Sequence, residues 1–224
     1  MLNTNILWQA TPQIATGVVI TLELMICTLI IGLLMAVILT TLSYLNIKPI
    51  NALIKTYCFF IRGTPLLVQL FLIYYGSSQF DFIRDSVLWN ILKQPFVCAV
   101  IALAINTSAY STELFRGIIS TIPKGEIEAC QALGLSKIQM LVKIISGRAI
   151  RIALPAYSNE VIIILKSTSL ASTITLMDLM GITNQLISDT YSTIPFLLFA
   201  GIIYLALNLV LIKTFSIIEN KLNP

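Results

Sequence analysis

The stretch PQIATGVVITLELMICTLIIGLLMAVILTTLSYL, residues 12–45, carries a single charge, Glu23. A hydrocarbon core of about 30 Å takes roughly 20 apolar residues in a helix, so the segment can cross a bilayer with its outer end in the interface. Lys48, Pro49 and Lys55 follow as a short basic connection. A second span is predicted over about 51–78, interrupted at Gly63, Thr64 and Pro65, with Arg62 as its charged end. Beyond a polar loop with Asp81, Arg84, Asp85 and Lys93, Pro95 suits the first turn of a third span reaching about Ser120, which Pro123, Lys124 and Gly125 end. Residues 126–147 are too polar to span and are predicted as a helical loop in water. A fourth span runs from about Ala149 to Leu170 with Pro155 inside it, and a fifth from Thr190 to Ile212. No strand alternation occurs, so the predicted fold class is all-α: a polytopic membrane helical bundle of about five transmembrane helices, one domain over 1–224.

Composition agrees. The chain is 57% hydrophobic and 11% charged, and its mean hydropathy is +0.92, far above the soluble average. Histidine is absent, which removes the usual general base and the commonest metal ligand. Cys27, Cys58, Cys98 and Cys130 form no CxxC pair, so they are read as packing residues and no metal site is expected. The first positive charge is Lys48, so no cleaved leader is expected at the N-terminus.

Counting Lys and Arg near the helix ends orients the bundle. With the N-terminus outside, the cytoplasmic side holds Lys48, Lys55, Arg62, Arg116, Lys124, Lys137, Lys143, Arg148, Arg151, Lys213 and Lys221, against Arg84 and Lys93 outside, 11 to 2. The basic residues therefore report orientation and not nucleic-acid binding, and the C-terminus is expected in the cytoplasm.

Within the predicted loop stands EIEACQALGLSKIQMLVKI, residues 126–144. Gly134 can take the left-handed conformation that ends a helix and Ser136 can cap the next, so two short helices meet at a bend. The string resembles the EAA loop of ABC-importer permeases: Glu-Ala-Ala, three residues, Gly, nine residues, Ile. Glu128, Ala129, Gly134 and Ile144 fall at those spacings, while Cys130 replaces the second Ala and Ser146-Gly147 stands where Leu-Pro usually follows. FIRGTPLLVQLFLIYYG at 60–76, ALAINTSAYSTELFRGIISTIPKGE at 102–126 and LPAYSNEVIIILKSTSLASTITLMDLMG at 154–181 extend the resemblance to the polar amino-acid permeases, especially the arginine type.

That resemblance implies a five-helix permease of the bacterial inner membrane, with a cytoplasmic coupling loop at about 121–147. It implies a second like or sister permease subunit, a pair of cytoplasmic ABC ATPase subunits, and a periplasmic or extracellular amino-acid-binding protein. Glu128, Ala129, Gly134 and Ile144 would meet the ATPase. The chain itself lacks the glycine-rich cradle of a nucleotide site, since Lys166-Ser167 has no glycines before it. No cofactor is expected to bind it directly, and ATP would be hydrolysed by the partner.

Charges inside the membrane cost about 2.5–3.5 kcal/mol each on insertion scales and so mark candidate sites. Glu23, Glu113, Glu160 and Lys166 qualify. Counted from Ala149, Glu160 lies about 16 Å along its helix, near the midplane. It is read as the counter-charge for a cationic substrate, the alternative being a structural pair with Lys166. Asn159 joins it because the Asn-Glu pair resembles that of basic-amino-acid permeases. Glu113 has Arg116 as an i+3 partner for a local ion pair, and is otherwise a substrate contact. Lys166 could meet a substrate carboxylate, and the run Ser167, Thr168, Ser169 could hydrogen-bond freed backbone or form part of an outer gate.

Two rival classes remain open: a secondary transporter or channel subunit, in which the same acids carry ions, and a membrane enzyme. The first lacks a visible inverted repeat, and the second lacks histidine and a metal cluster.

Overall fold

A computed structural model describes residues 4–222 of the chain, with side chains from residue 8 onward. All regular structure among the described residues is helical. Helix α1, Thr4–Tyr44, is apolar on every side, so its protein-facing stripe is marked by small and hydroxyl residues: Gly17, Thr21, Thr28, Gly32, Ala36 and Thr40 are buried. The intervening Ile26, Ile30, Leu34 and Ile38 are exposed, as a lipid-facing surface requires. Trp8 and Tyr191, aromatics near the ends of apolar helices, are 82% and 92% exposed, as interfacial anchors are.

Helix α2, Lys48–Gly63, ends at the predicted interruption, and α3, Leu66–Phe71, leaves it at 103° before running into a π-helical turn, Leu72–Gly76. Thr64 is extended because it precedes Pro65, whose ring excludes the helical conformation from the residue before it. Short helices α4, Asp81–Arg84, and α5, Trp89–Leu92, fill the polar loop. Helix α6, Pro95–Ser120, opens on Pro95 and matches its predicted bounds. It is the central helix, packed against α1, α2 and α3, and its Ala, Ser and Thr residues permit those close approaches.

The loop contains α7, Lys124–Ala132, and α8, Lys137–Met140. The expected separate start of the fourth span near Ala149 is corrected. Helix α8 passes through a π-helical turn, Leu141–Ile145, into α9, Ser146–Ser167, and on into a 3₁₀ turn, Thr168–Ile174, without a break. With Ser146-Gly147 in place of Leu-Pro, no proline removes a backbone donor there, so the helix runs on. Pro155 likewise lies within α9 without ending it, and the hydroxyl of Ser158 donates to its carbonyl at 2.7 Å.

The fifth span is also longer than expected. Helix α11 covers Thr193–Leu222, and a further helix, α10, Leu179–Thr190, precedes it at 49° to the preceding span. Asp178 caps α10 by accepting from the Gly181 amide at 2.9 Å, while the Leu179 amide donates to Thr21 of α1 at 3.0 Å. Three described helices are long and apolar enough to cross a membrane, five when each bent pair counts as one span. Cys58, Cys98 and Cys130 are buried and Cys27 partly so, all as free thiols in apolar packing.

Candidate functional site

Breaking a helix inside a membrane strands backbone carbonyls that lipid cannot satisfy. At the α2–α3 break the amide of Gln69 donates to the Ile61 carbonyl at 2.7 Å, to the Thr64 carbonyl at 3.2 Å and to the Thr64 hydroxyl at 2.8 Å. The Thr64 hydroxyl in turn donates to the Phe60 carbonyl at 2.9 Å. Asn106 of α6 holds the other end of Gln69, donating to its Oε1 at 3.1 Å. This network fixes the last turn of α2, and with it Arg62, against α6.

The facing wall comes from α9. Glu160 is half-buried and accepts from the Thr107 hydroxyl of α6 at 3.0 Å. Thr107 is itself pressed by α1: a Cβ on Gly32 would lie 2.2 Å from its methyl carbon, so Gly32 allows the crossing that holds Thr107 toward Glu160. One hydroxyl donor leaves most of the carboxylate's acceptor capacity unused.

Two adjoining cavities lie between these walls. One, about 470 Å³, is lined by residues including Thr64, Leu66, Asn106, Ile163 and Ser167. The other, about 410 Å³, is lined by Glu113, Leu114 and Ala156 and sits closer to the loop bearing α7. Arg62, Tyr110 and Glu160 line both. The Arg62 guanidinium lies over the Tyr110 ring, 5.2 Å from its centroid. Among the lining residues Arg62 is the single cation. A chamber with a carboxylate on one wall and a guanidinium on the other can hold a small molecule bearing both charges.

Of the residues singled out in the sequence, Glu160 and Glu113 face this chamber and Asn159 and Lys166 do not. The latter two are exposed on the adjacent face of α9. The alternative of a structural Glu160–Lys166 pair is not formed, and Glu160 takes the Thr107 contact instead. Glu113 does pair with Arg116, as its spacing predicts. Glu23 is exposed on α1. Arg62 was visible only as a helix end, and Tyr110, Thr107, Asn106 and Gln69 carried no local signal. Asp178, fully buried, is an acid the sequence reading passed over. Its place just before an apolar helical run is the signal that finds it.

In the loop, Gly134 has φ +74°, its amide donates to the Gln131 carbonyl at 2.9 Å, and the Leu135 amide reaches back to Cys130 at 3.1 Å. These two bonds close α7 in a Schellman motif. Ser136 then caps α8 with Gln139 in a reciprocal capping box. Cys130, Met140, Leu141 and Ile145 bury the inner face of the bend, and Arg148 of α9 pairs with Glu126 of α7. Glu128, Ala129 and Gly134 are exposed, Ile144 is 40% exposed, and Leu133 beside them is 77% exposed.

Comparison with known proteins places this architecture. Residues 28–223 match the family described as the binding-protein-dependent transport system inner membrane component. The chain is 41% identical over 218 residues to the octopine transport system permease protein OccM of Rhizobium radiobacter, covering 97% of this chain and 89% of that one. It is 47% identical over 192 residues to the arginine ABC transporter permease protein ArtM of Haemophilus influenzae, covering 86% and 84%. A chain from the crystal structure of an amino acid ABC transporter with histidines superposes with a TM-score of 0.85 at 33% identity, over 96% of each chain. The break that shapes the chamber, the helical hairpin of the loop and these similarities agree: the chain belongs to the polar amino-acid ABC transporter permeases, as a multi-pass inner-membrane transport subunit distinct from the ATPase.

Proposed function

We propose that this permease imports arginine, or another basic amino acid, through the chamber between α2, α6 and α9. The observation that carries the reading is Glu160, a carboxylate with no cationic partner among the described ion pairs, facing Arg62 across the same cavity. Glu160 takes the substrate's cationic end and Arg62 its carboxylate, with Glu113 as a further contact toward the α7 side. Similarity to ArtM supports arginine; similarity to OccM supports a second reading, an opine. Octopine carries two carboxylates where the chamber offers one cation, which favours arginine.

The test is ligand competition on the purified permease–ATPase complex in nanodiscs without a binding protein. Excess arginine should displace labelled arginine about tenfold more effectively than octopine or glutamine, the selectivity of roughly one unmatched charge. Equal displacement by octopine would favour the opine reading, and equal displacement by glutamine would remove the cationic-substrate assignment.

In this reading the segment at about 121–147 is the coupling loop. Glu128, Ala129, Gly134 and Ile144 meet one of a pair of ATPase subunits, and a second permease subunit and a binding protein complete the importer. Asn159 and Lys166, outside the chamber, serve the neighbouring face of α9 and not the substrate. The N-terminus lies outside and the C-terminus in the cytoplasm, supported by the charge bias, which is 10 to 2 once Arg62 is counted with the chamber and not with the cytoplasmic ends. Asp81→Cys should react with an impermeant thiol reagent from outside intact cells and Lys137→Cys should not. The opposite pattern would invert the topology.

A further inference from the structure

Arg62, Tyr110 and Glu160 are the residues shared by two adjoining cavities, so they form the neck between them. The neck is crossed by the Arg62 guanidinium, which lies on the Tyr110 ring at 5.2 Å. The Tyr110 hydroxyl adds a long bond, 3.5 Å, to the Arg62 carbonyl. The backbone on both sides is held, Arg62 by the Gln69 network at the α2 break and Tyr110 by the well-buried helix α6. Motion at the neck therefore belongs to the side chains, and the long unbranched stem of Arg62 moves more readily than the Tyr110 ring, which has two torsions.

We propose that Arg62, stacked on Tyr110, is a bar across the pathway that the substrate's own carboxylate lifts, which makes the Arg62–Tyr110 pair a specificity device for the α-carboxylate. This rests on the reading of the chamber as a site for a cationic amino acid. A guanidinium on an exposed aromatic face is held weakly, whereas a carboxylate engages the planar guanidinium through two charge-assisted hydrogen bonds. A substrate entering the compartment of Leu66 and Ser167 draws Arg62 from the ring and brings its cation to Glu160. The way to the compartment of Glu113 and Ala156 then opens. Agmatine, arginine without its carboxylate, has no grip on Arg62 and meets a like charge at the neck.

The measurement is labelling of Ser167→Cys by a small cationic thiol reagent, read by peptide mass in vesicles of the assembled complex. The reagent is applied from the face on which Lys137→Cys reacts. With Tyr110 intact, labelling across the neck should be slow without ligand, and Tyr110→Phe, which keeps the ring, should leave it slow. Tyr110→Leu and Arg62→Met should each raise it about two- to fivefold, the population change that a contact of this kind represents. If either variant fails to assemble, the other decides. Parent-like labelling in an assembled Leu or Met variant would overturn the bar, as would Phe behaving like Leu. In that event the chamber assignment survives if Glu160→Gln still loses arginine binding, and falls separately if it does not.

Discussion

Glu160→Gln should lower arginine binding and uptake by about 10- to 150-fold. That is the loss expected when a hydrogen bond to a charged partner worth roughly 1.5–3 kcal/mol is lost, since the amide NH2 of Gln is a donor and cannot accept from a cation. The amide keeps the shape of the side chain and can still accept from the Thr107 hydroxyl, which lies 3.0 Å from the carboxylate, so assembly should be preserved. Glutamine, which brings no side-chain charge, should bind no worse to the variant than to the parent. The result is informative only alongside the amount of assembled complex, because Thr107 and Glu160 also join α6 to α9. Normal arginine uptake with normal assembly would end the counter-charge role. Lys166→Met should change neither quantity, since Lys166 sits on the neighbouring face of the helix.

Gly134→Val should uncouple the importer. At φ +74° a β-branched residue pays about 1–3 kcal/mol of backbone strain. Apart from Gly134 itself and its two chain neighbours, no heavy atom lies within 4 Å of where a Cβ would stand, so the penalty is local backbone conformation and not a clash with packed neighbours. Relief comes by opening the Schellman bend between α7 and α8, which re-aims exposed Glu128, Ala129 and Leu133 while leaving the membrane bundle untouched. The expected outcome is membrane insertion at the parent level, continued ATP hydrolysis by the complex, and transport per ATP reduced about tenfold or more, as a misdirected interface of this strain would give. Gly134→Asn, which tolerates the left-handed region, should recover much of the transport. A valine variant that moves as many substrate molecules per ATP as the parent would dismiss the docking role of this loop.

Features that act within a few residues were legible in the chain itself. Hydropathy is a local sum, so the apolar run at 12–45, charged only at Glu23, and the helix opening at Pro95 appear where expected. The break at Gly63-Thr64-Pro65 follows from one proline and the residue before it, and the bend at Gly134 from a left-handed glycine and a capping serine. The 3₁₀ and π turns around α9 leave no mark in the chain, because nothing in their sequence departs from helical preference. The fourth helix begins well before its expected start near Ala149, because a helix tolerates polar residues once it leaves the membrane.

Which charges share a cavity was a different kind of question. Asn159 and Glu160 are neighbours in sequence, yet one turns to the open face of α9 and the other to the chamber. That rotation is set by the packing of Ala153, Val161 and Ile164 against other helices. Arg62 meets Tyr110, and Gln69 meets Asn106, across 48 and 37 residues of chain. From sequence alone came an all-helical membrane bundle, its charge asymmetry and its hinged loop, because solvent preference and backbone conformation are decided locally. Only the tertiary structure decided that Glu160 faces Arg62, because the rotation of a helix about its axis is chosen by what buries its far side.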